Sequence, residues 1–484
     1  VRENESTTQV ELLRRNAERA LRSGDIAEAA DAYRQLLSAA PDDADSWFNY
    51  AYLQRCMRNF EGAIEAYGKA LSLNIRMPEE VLINRAAIFS EHLRQPLEAE
   101  AELQKAIAAN PQRITARLNL GNLYEDLGDA DRAYETYQNV LEISQYQARA
   151  LARVAAIDVR SGRAVKAIGH LKTAIAAARF NMEDRAEIFF ALGNALDAIG
   201  AYDEAFEAFS TANRSAYQTI PPSMRYDRER HEKYVDDLIT TFPLVATASA
   251  AARPPLFILG LFRSGSTLLE QMLARHPFVD ANGEVETIPA IVHAMHSFPH
   301  QLLNATSEYL DRLHTIYTQE NFLCSMTERM KTDKRPDNFL YIGLIKAIFP
   351  DAKIIHTVRH PLDTLLSIYF LNFNVSISYG FELLDIAHYI RQHRRLMDHW
   401  IRCYGSDIVT VDYDRLVAEP ETELRKTLDF VGLDWTPACL NHEAANLVQT
   451  ASVWQVRQPI HQRSSGRWRN YANYLNPVRE ALGV

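Results

Sequence analysis

LFILGLFRSGSTLLEQMLARHP, residues 256–277, is the segment from which the organisation of this chain can be worked out. Leu256 to Leu261 is a short apolar run, suited to a strand buried on both faces of a parallel sheet. From Thr267 onward, Leu268, Leu269, Met272 and Leu273 fall on one face of a helix. A turn carrying Gly and Ser separates the two, so the predicted order is strand, loop, helix. Backbone N–H groups at such a helix start converge on one spot and favour an anion there.

Gly260, Gly265 and Thr267 have the spacing of the triphosphate-binding loop G-x-x-x-x-G-K-[ST], but Ser266 stands where that loop has its lysine. Without a lysine to reach β- and γ-phosphates, the loop is expected to grip a shorter anion. Arg263 supplies a charge from within the loop, and its guanidinium can fork two bonds onto an oxyanion. A second strand–helix unit follows in AKIIHTVRHPLDTLLSIYF, 352–370. Lys353 to Val358 reads as its strand, Arg359 ends it, and Pro361 fits the first turn of a helix. Ligands of parallel sheets bind at the carboxyl ends of strands, which is where both arginines lie.

FRSGSTLL resembles the 5′-phosphosulfate loop of sulfotransferases that use 3′-phosphoadenosine-5′-phosphosulfate (PAPS). The resemblance covers 254–484 and is closest to the tyrosylprotein sulfotransferase type and to bacterial proteins that join tetratricopeptide repeats to this domain. It implies that Arg263, Ser264, Gly265, Ser266, Thr267 and Leu268 hold the donor, and that Arg359 with Ser367 binds its 3′-phosphate. Phe262 departs from the family's usual proline, and His360 from its usual acidic residue.

The same resemblance implies a catalytic glutamate in ANGEVETIPAI, 281–291. Ungapped spacing from Arg263 selects Glu284, the preferred reading, whereas alignment on the following Thr-Ile-Pro selects Glu286. It also implies that Lys334, in KTDKRP, bonds the bridging oxygen, and that Ser452 assists it. Arg463, Ser464, Gly466 and Arg467 resemble a late basic loop closing on the 3′-phosphate, and Tyr413 a tyrosine near the donor. Lys334 stands just before a proline and an amphipathic helix expected from Asn338.

The first half of the chain carries an internal repeat. Ala29, Ala63, Ala99, Ala133, Ala167 and Ala205 mark similar segments at steps of 34, 36, 34, 34 and 38 residues. Gly24, Gly128, Gly162 and Gly200 each precede a marker by five residues, and Pro41 and Pro111 follow theirs by twelve. Tyr33, Tyr67, Tyr137 and Phe209 lie four residues after theirs, one helical turn on. Each unit is therefore predicted as two helices about a tight turn. The period resembles the tetratricopeptide repeat, over residues 8–217, and arrays of this kind stack into an α-solenoid with a concave face. Asn49, Asn84 and Asn119, at steps of 35, could line that face and hold a peptide or protein partner. Segment 223–240 reads as one charged helix capped by Ser223, and 243–255 as a linker, so 218–253 bridges the repeats to the domain at 254–484.

Composition agrees with a globular chain having ample core, at 47% hydrophobic and 24% charged residues. A net charge of −10 disfavours nucleic acid and anionic membranes as partners. Cys56, Cys324, Cys403 and Cys439 are scattered, as expected of free thiols in a reducing, cytoplasmic setting. No metal is expected, because the histidines lack ligand spacing. No apolar stretch approaches the ~20 residues of a membrane span, and no charged-then-apolar leader opens the chain.

The expected fold is an α-solenoid followed by a P-loop-like α/β domain with a central parallel sheet. The expected activity is sulfuryl transfer from PAPS to an acceptor hydroxyl, with a peptide, a tyrosine included, as the acceptor the repeats would present. A repeat scaffold with an inactive domain, or a phosphotransferase using the same loop, are the alternatives.

Overall fold

Gly24, Gly128, Gly162 and Gly200 all take positive φ, between 75° and 83°, at the turns between paired helices. Where the sequence lacks that glycine, Arg58 (φ 61°) and Arg94 (φ 54°) stand at the equivalent place. The turn geometry is thus kept even where a side chain opposes it. Asp25, Asn59 and Asp129 cap the helices that follow, accepting from Glu28 N (2.9 Å), Gly62 N (3.2 Å) and Arg132 N (3.0 Å).

The computed structural model describes residues 2–243, 247–249, 254–322, 329–373, 375–441 and 464–484. Its contacts divide the chain into two compact units, Val1–Arg163 and Ala164–Val484. The first holds α1 (Arg2–Ser23), α2 (Ile26–Ala39), α3 (Ala44–Cys56), α4 (Phe60–Ser72), α5 (Pro78–Ala87), α6 (Pro96–Ala109), α7 (Ile114–Leu127), α8 (Ala130–Ile143) and α9 (Ala148–Arg160). The marker alanines sit in the second helix of each pair and are fully buried at Ala29, Ala63, Ala99 and Ala133, where any larger side chain would part the helices. Tyr33, Tyr67 and Tyr137 are buried in the seams. A π-helical turn, Ile88–His92, lies within the 36-residue step and takes up its extra length. Asn49 of α3 donates to the Tyr33 hydroxyl of α2 at 3.1 Å, so this amide joins one helical pair to the next.

The second unit opens with helices that continue the repeat: α10 (Ala164–Ala177), α11 (Met182–Ala198) and α12 (Tyr202–Thr219). A short 3-10 turn at Pro222–Met224 and then α13 (Arg228–Thr241) follow. The single helix expected over 223–240 is thus broken. Its cap is Asp227, accepting from Arg230 N at 3.0 Å, rather than Ser223, which lies inside the 3-10 turn.

Five parallel strands follow: β1 (Leu256–Gly260), β2 (Val279–Asp280), β3 (Met330–Lys334), β4 (Ile354–Val358) and β5 (Ile408–Asp412), in the order β2-β3-β1-β4-β5. Between them run α14 (Ser266–Leu273), α15 (Thr287–His293), α16 (Ser307–Phe322), α17 (Ile342–Ile348), α18 (Pro361–Tyr369) and α19 (Leu383–Tyr404); α20 (Tyr413–Ala418), α21 (Pro420–Val431) and α22 (Asn476–Leu482) come after β5. One sheet face packs Leu256, Ile258, Ile355 and Val411 against Leu269 and Leu273 of α14 and Leu424 and Leu428 of α21. On the other, Phe257 meets Tyr317 and Phe349. Because β1 lies between β3 and β4, the chain leaves it first to one side and later to the other. That reversal opens a crevice at the carboxyl ends of the central strands.

The last repeat helices are built into this unit. Phe209 of α12 stacks on Phe370 with ring centroids 3.9 Å apart. Asn213 Nδ2 donates to the Tyr369 carbonyl at 2.8 Å, and Asp197 of α11 pairs with Arg467 at 2.7 Å. Among the described residues, no helix is long and apolar enough to cross a membrane.

Candidate active site

Each strand delivers a candidate residue at or beyond its carboxyl end. Beyond β1, the loop Leu261–Gly265 turns into α14. Arg263 (φ 71°) and Gly265 (φ 99°) both take the left-handed region. A Cβ on Gly265 would lie 2.5 Å from Tyr413 Cδ2, so only glycine fits against that ring. Ser264 is a structural pin: its hydroxyl donates to the Leu261 carbonyl (2.6 Å) and lies 2.7 Å from Thr357 Oγ1 on β4. Ser266 and Thr267 are buried in the first turn of α14, and half-buried Leu268 packs against the core.

Arg263 Nε donates to Ser367 Oγ of α18 at 2.9 Å. Arg359, just beyond β4, donates to the carbonyls of Arg263 (3.4 Å) and Ser464, and its guanidinium lies 5.0 Å from the Tyr413 ring centroid. Burial and the neighbouring Arg359 charge, with Arg467 adding to them against an opposing Tyr413, push the Arg263 guanidinium down to about 10. Burial lowers Arg359 as well, against Tyr413, Asp363 and Asp414. Both stay charged at neutral pH. Arg359 Nε is buried without a hydrogen-bond partner among the described residues. Clustered, desolvated cations with an unmet donor fit an anionic ligand.

The late loop lies against the same helix. The N–H groups of Gly466 and Trp468 donate to the Asp363 carboxylate at 2.7 and 2.8 Å. Ser465 donates to Asp414, whose other oxygen accepts from His360 N. His360 caps α18, its Nδ1 accepting from Leu362 N at 3.3 Å, as the family's usual acidic residue could. Arg467 is paired with Asp197 rather than aimed into the loop alone. Ser452 and Arg463 lie outside the described residues.

On the other side of β1, Lys334 is the last residue of β3 and fully buried. Partners from other elements make this burial possible: Thr332 donates to Glu270, Asp333 accepts from Tyr317, and Lys334 has a carboxylate partner. The following helix also begins earlier and tighter than expected, as a 3-10 turn from Pro336. Lys334 Nζ donates to Glu284 Oε1 at 2.7 Å. Glu286 instead accepts from Arg335 (2.6 Å), and its side chain is 63% exposed against 35% for Glu284. The structure therefore brings Glu284, not Glu286, to the lysine.

Sequence reasoning missed the supports of these groups. Buried Glu270 of α14 accepts from Thr332 Oγ1 (2.6 Å) and Gly283 N (3.0 Å), fixing the loop that carries Glu284; burial raises its pKa. Asp333 accepts from Tyr317 (2.7 Å) and Asn338 (3.0 Å), and burial pushes it up to about 7. A carboxylate on the apolar face of STLLEQML was the one available signal for Glu270. Among the described residues, no group of three or more His, Cys, Asp or Glu side chains is placed to hold a metal ion.

The chain joins a tetratricopeptide repeat array to an α/β domain that matches the sulfotransferase family. Residues 254–437 match the sulfotransferase family model, and 14–76 and 93–148 match the tetratricopeptide repeat model. The chain is 30% identical over 432 residues to an uncharacterized protein of Aquifex aeolicus, spanning 83% of this chain and 54% of that one. It is 27% identical over 243 residues to protein-tyrosine sulfotransferase 1 of Danio rerio, spanning 44% of this chain and 65% of the relative. It thus covers less than two thirds of either relative. Among solved structures, the sulfotransferase domain of the Synechococcus PCC 7002 olefin synthase aligns over 46% of this chain and 88% of its own, at 23% identity and a TM-score of 0.35.

Proposed function

We propose that the protein transfers a sulfuryl group from PAPS to an acceptor hydroxyl, with a peptide or protein, tyrosine included, as the acceptor. The observation that carries this is the pairing of two sites across β1: the Arg263–Ser367–Arg359 cluster on one side and buried Lys334 with Glu284 on the other. When bound, the donor supplies an activated sulfur whose bond to the phosphate oxygen breaks as the acceptor oxygen attaches in line.

Arg263 and the N–H groups of the α14 first turn hold negative charge at the sulfate. Arg359 and Ser367, with the loop at Ser464–Arg467, hold the 3′-phosphate, and Tyr413 backs Arg359 with its ring. Lys334 donates toward the oxygen that gains charge, with Ser452 as its helper. Glu284, released from the lysine by that shift, accepts the acceptor's proton at a carboxylate oxygen. No covalent bond to the protein is needed.

Calorimetric titration with adenosine 3′,5′-bisphosphate tests the donor site. The wild type should bind, and Arg359→Ala should lose roughly 10- to 100-fold in affinity, as expected for a charged hydrogen bond. No binding by folded wild type would overturn the reading in favour of a repeat scaffold.

A further inference from the structure

A groove of about 410 Å³ runs between α11, the 220–224 segment after α12, and the stretch that follows α18. Its floor is apolar: Ile220, Met224, Phe373 and Phe381 contribute, and Met224 is 53% exposed although it lines a concave surface. Two carboxylates, Glu183 and Glu187, lie on its wall, and no cation is among the described residues that line it. Glu187 holds its place by accepting from Asn372 Nδ2 at 3.1 Å, on the opposite wall. The two arginines next to lining residues in sequence are engaged elsewhere: Arg185 lies over the Phe189 ring, and Arg225 donates to the Ile220 carbonyl and lies over the Tyr217 ring.

One aromatic contact joins this groove to the phosphate loop of the candidate site. The Phe373 ring meets the Phe262 ring edge-on, with centroids 6.3 Å apart, and Phe262 immediately precedes Arg263. Phe373 also follows, by six residues, the Ser367 that accepts from Arg263. One wall of the groove is therefore a single aromatic contact from the phosphate loop.

We infer that this groove receives the acceptor, and that the acceptor class is a hydroxyl-bearing peptide with an apolar contact and a cationic side chain beside the reacting residue. The inference rests on the sulfotransferase reading and deepens it. The floor supplies apolar burial for a flanking side chain. The two carboxylates supply charge complementarity that attracts lysine or arginine and disfavours an acidic flank. The arginine cluster does not reverse this preference, because the anionic donor occupies it when the acceptor binds.

The test uses the full chain loaded with adenosine 3′,5′-bisphosphate and two tyrosine heptapeptides that differ only in carrying lysine or glutamate beside the tyrosine. Affinities are read by fluorescence anisotropy. The lysine peptide should bind roughly threefold to tenfold more tightly, the range expected of two part-exposed charge pairs. Glu183→Gln with Glu187→Gln should abolish that preference, and Glu183→Lys with Glu187→Lys should invert it. Glutamine at 187 can still accept from Asn372, so the first variant removes charge without removing the contact. Nucleotide affinity should stay unchanged in both variants. Tighter binding of the glutamate peptide, a preference that survives in the variants, or binding of neither peptide would each overturn the groove assignment. Failure of wild type to bind the nucleotide would strike the sulfotransferase reading itself, a separately readable outcome.

Discussion

Lys334 Nζ and Glu284 Oε1 are 2.7 Å apart, with the lysine fully buried and the glutamate at the edge of solvent. A buried cation that donates to one carboxylate cannot be left without it cheaply. The pair also aligns the two groups whose roles in sulfuryl transfer are opposite: one accepts a proton, the other offers hydrogens to a leaving oxygen.

Glu284→Gln should lower turnover by roughly 100-fold or more while nucleotide binding persists, since a positioned base contributes on that scale. Glu286→Gln should change turnover by less than about threefold, because Glu286 is itself exposed and pairs with Arg335 rather than Lys334. Radiolabelled sulfate transfer, measured beside calorimetry, separates the two. Equal loss in both variants would remove the distinction drawn from geometry.

Gly265→Ala should abolish nucleotide binding or unfold the loop. The added methyl group meets the Tyr413 ring at 2.5 Å, and φ there is 99°. The stability cost should be about 1–3 kcal/mol, read from urea unfolding. Normal nucleotide affinity in this variant would show that the loop can rearrange freely.

Asp197 accepts from Arg467 and from the Tyr471 hydroxyl, tying a repeat helix to the late loop. Asp197→Ala should destabilise the protein by about 1–3 kcal/mol, the range for hydrogen bonds to a charged group. It should also weaken nucleotide binding severalfold. Unchanged affinity would mean that the late loop keeps its place through its contacts with Asp363, Asp414 and Arg359.

Asp333 sets a pH dependence. Its folded pKa of about 7 lies above the ordinary 3.8, so the folded state holds a proton that the unfolded state has released. Its contribution is fully present below about pH 4 and is lost as pH rises through 7. The loss is on the order of 4 kcal/mol. Asp333→Asn should flatten this part of the profile, as read from urea midpoints at pH 5 and pH 8. A profile identical to that of the wild type would assign the dependence to other groups.

Arg58→Gly and Arg94→Gly should each raise stability by about 0.5 kcal/mol, because both arginines occupy the left-handed region that glycine fills in four other turns. Thermal unfolding of the double variant is the check. A fall in midpoint would mean that the arginine side chains make compensating contacts.

Much of this was legible because it is local. The apolar run 256–260, the Gly/Ser loop and the helix behind it are neighbours in sequence, and so are β4, Arg359 and the start of α18. The repeat was legible from its period. What could not be read depends on distance along the chain. The burial of Lys334 is one case: MKTDK has no strand pattern, and only pairing with β1 puts it in the sheet. The choice between Glu284 and Glu286 rests on which one faces β3. Glu270, Asp363 and Asp197 gave little warning, since their partners lie 13 to 274 residues away. Ser223 lost its role as a cap because Pro222 starts a separate 3-10 turn and Asp227 reopens the helix.

The stacking of Phe209 on Phe370 bears on where this chain can be cut. A fragment begun at the strand Leu256–Gly260 would bare the aromatic face formed by Phe370 and Tyr471, and would leave Arg467 without its carboxylate. The smallest piece that keeps its own surface covered starts near Ala164, so three repeat-like helices travel with the sheet as a permanent part of its unit.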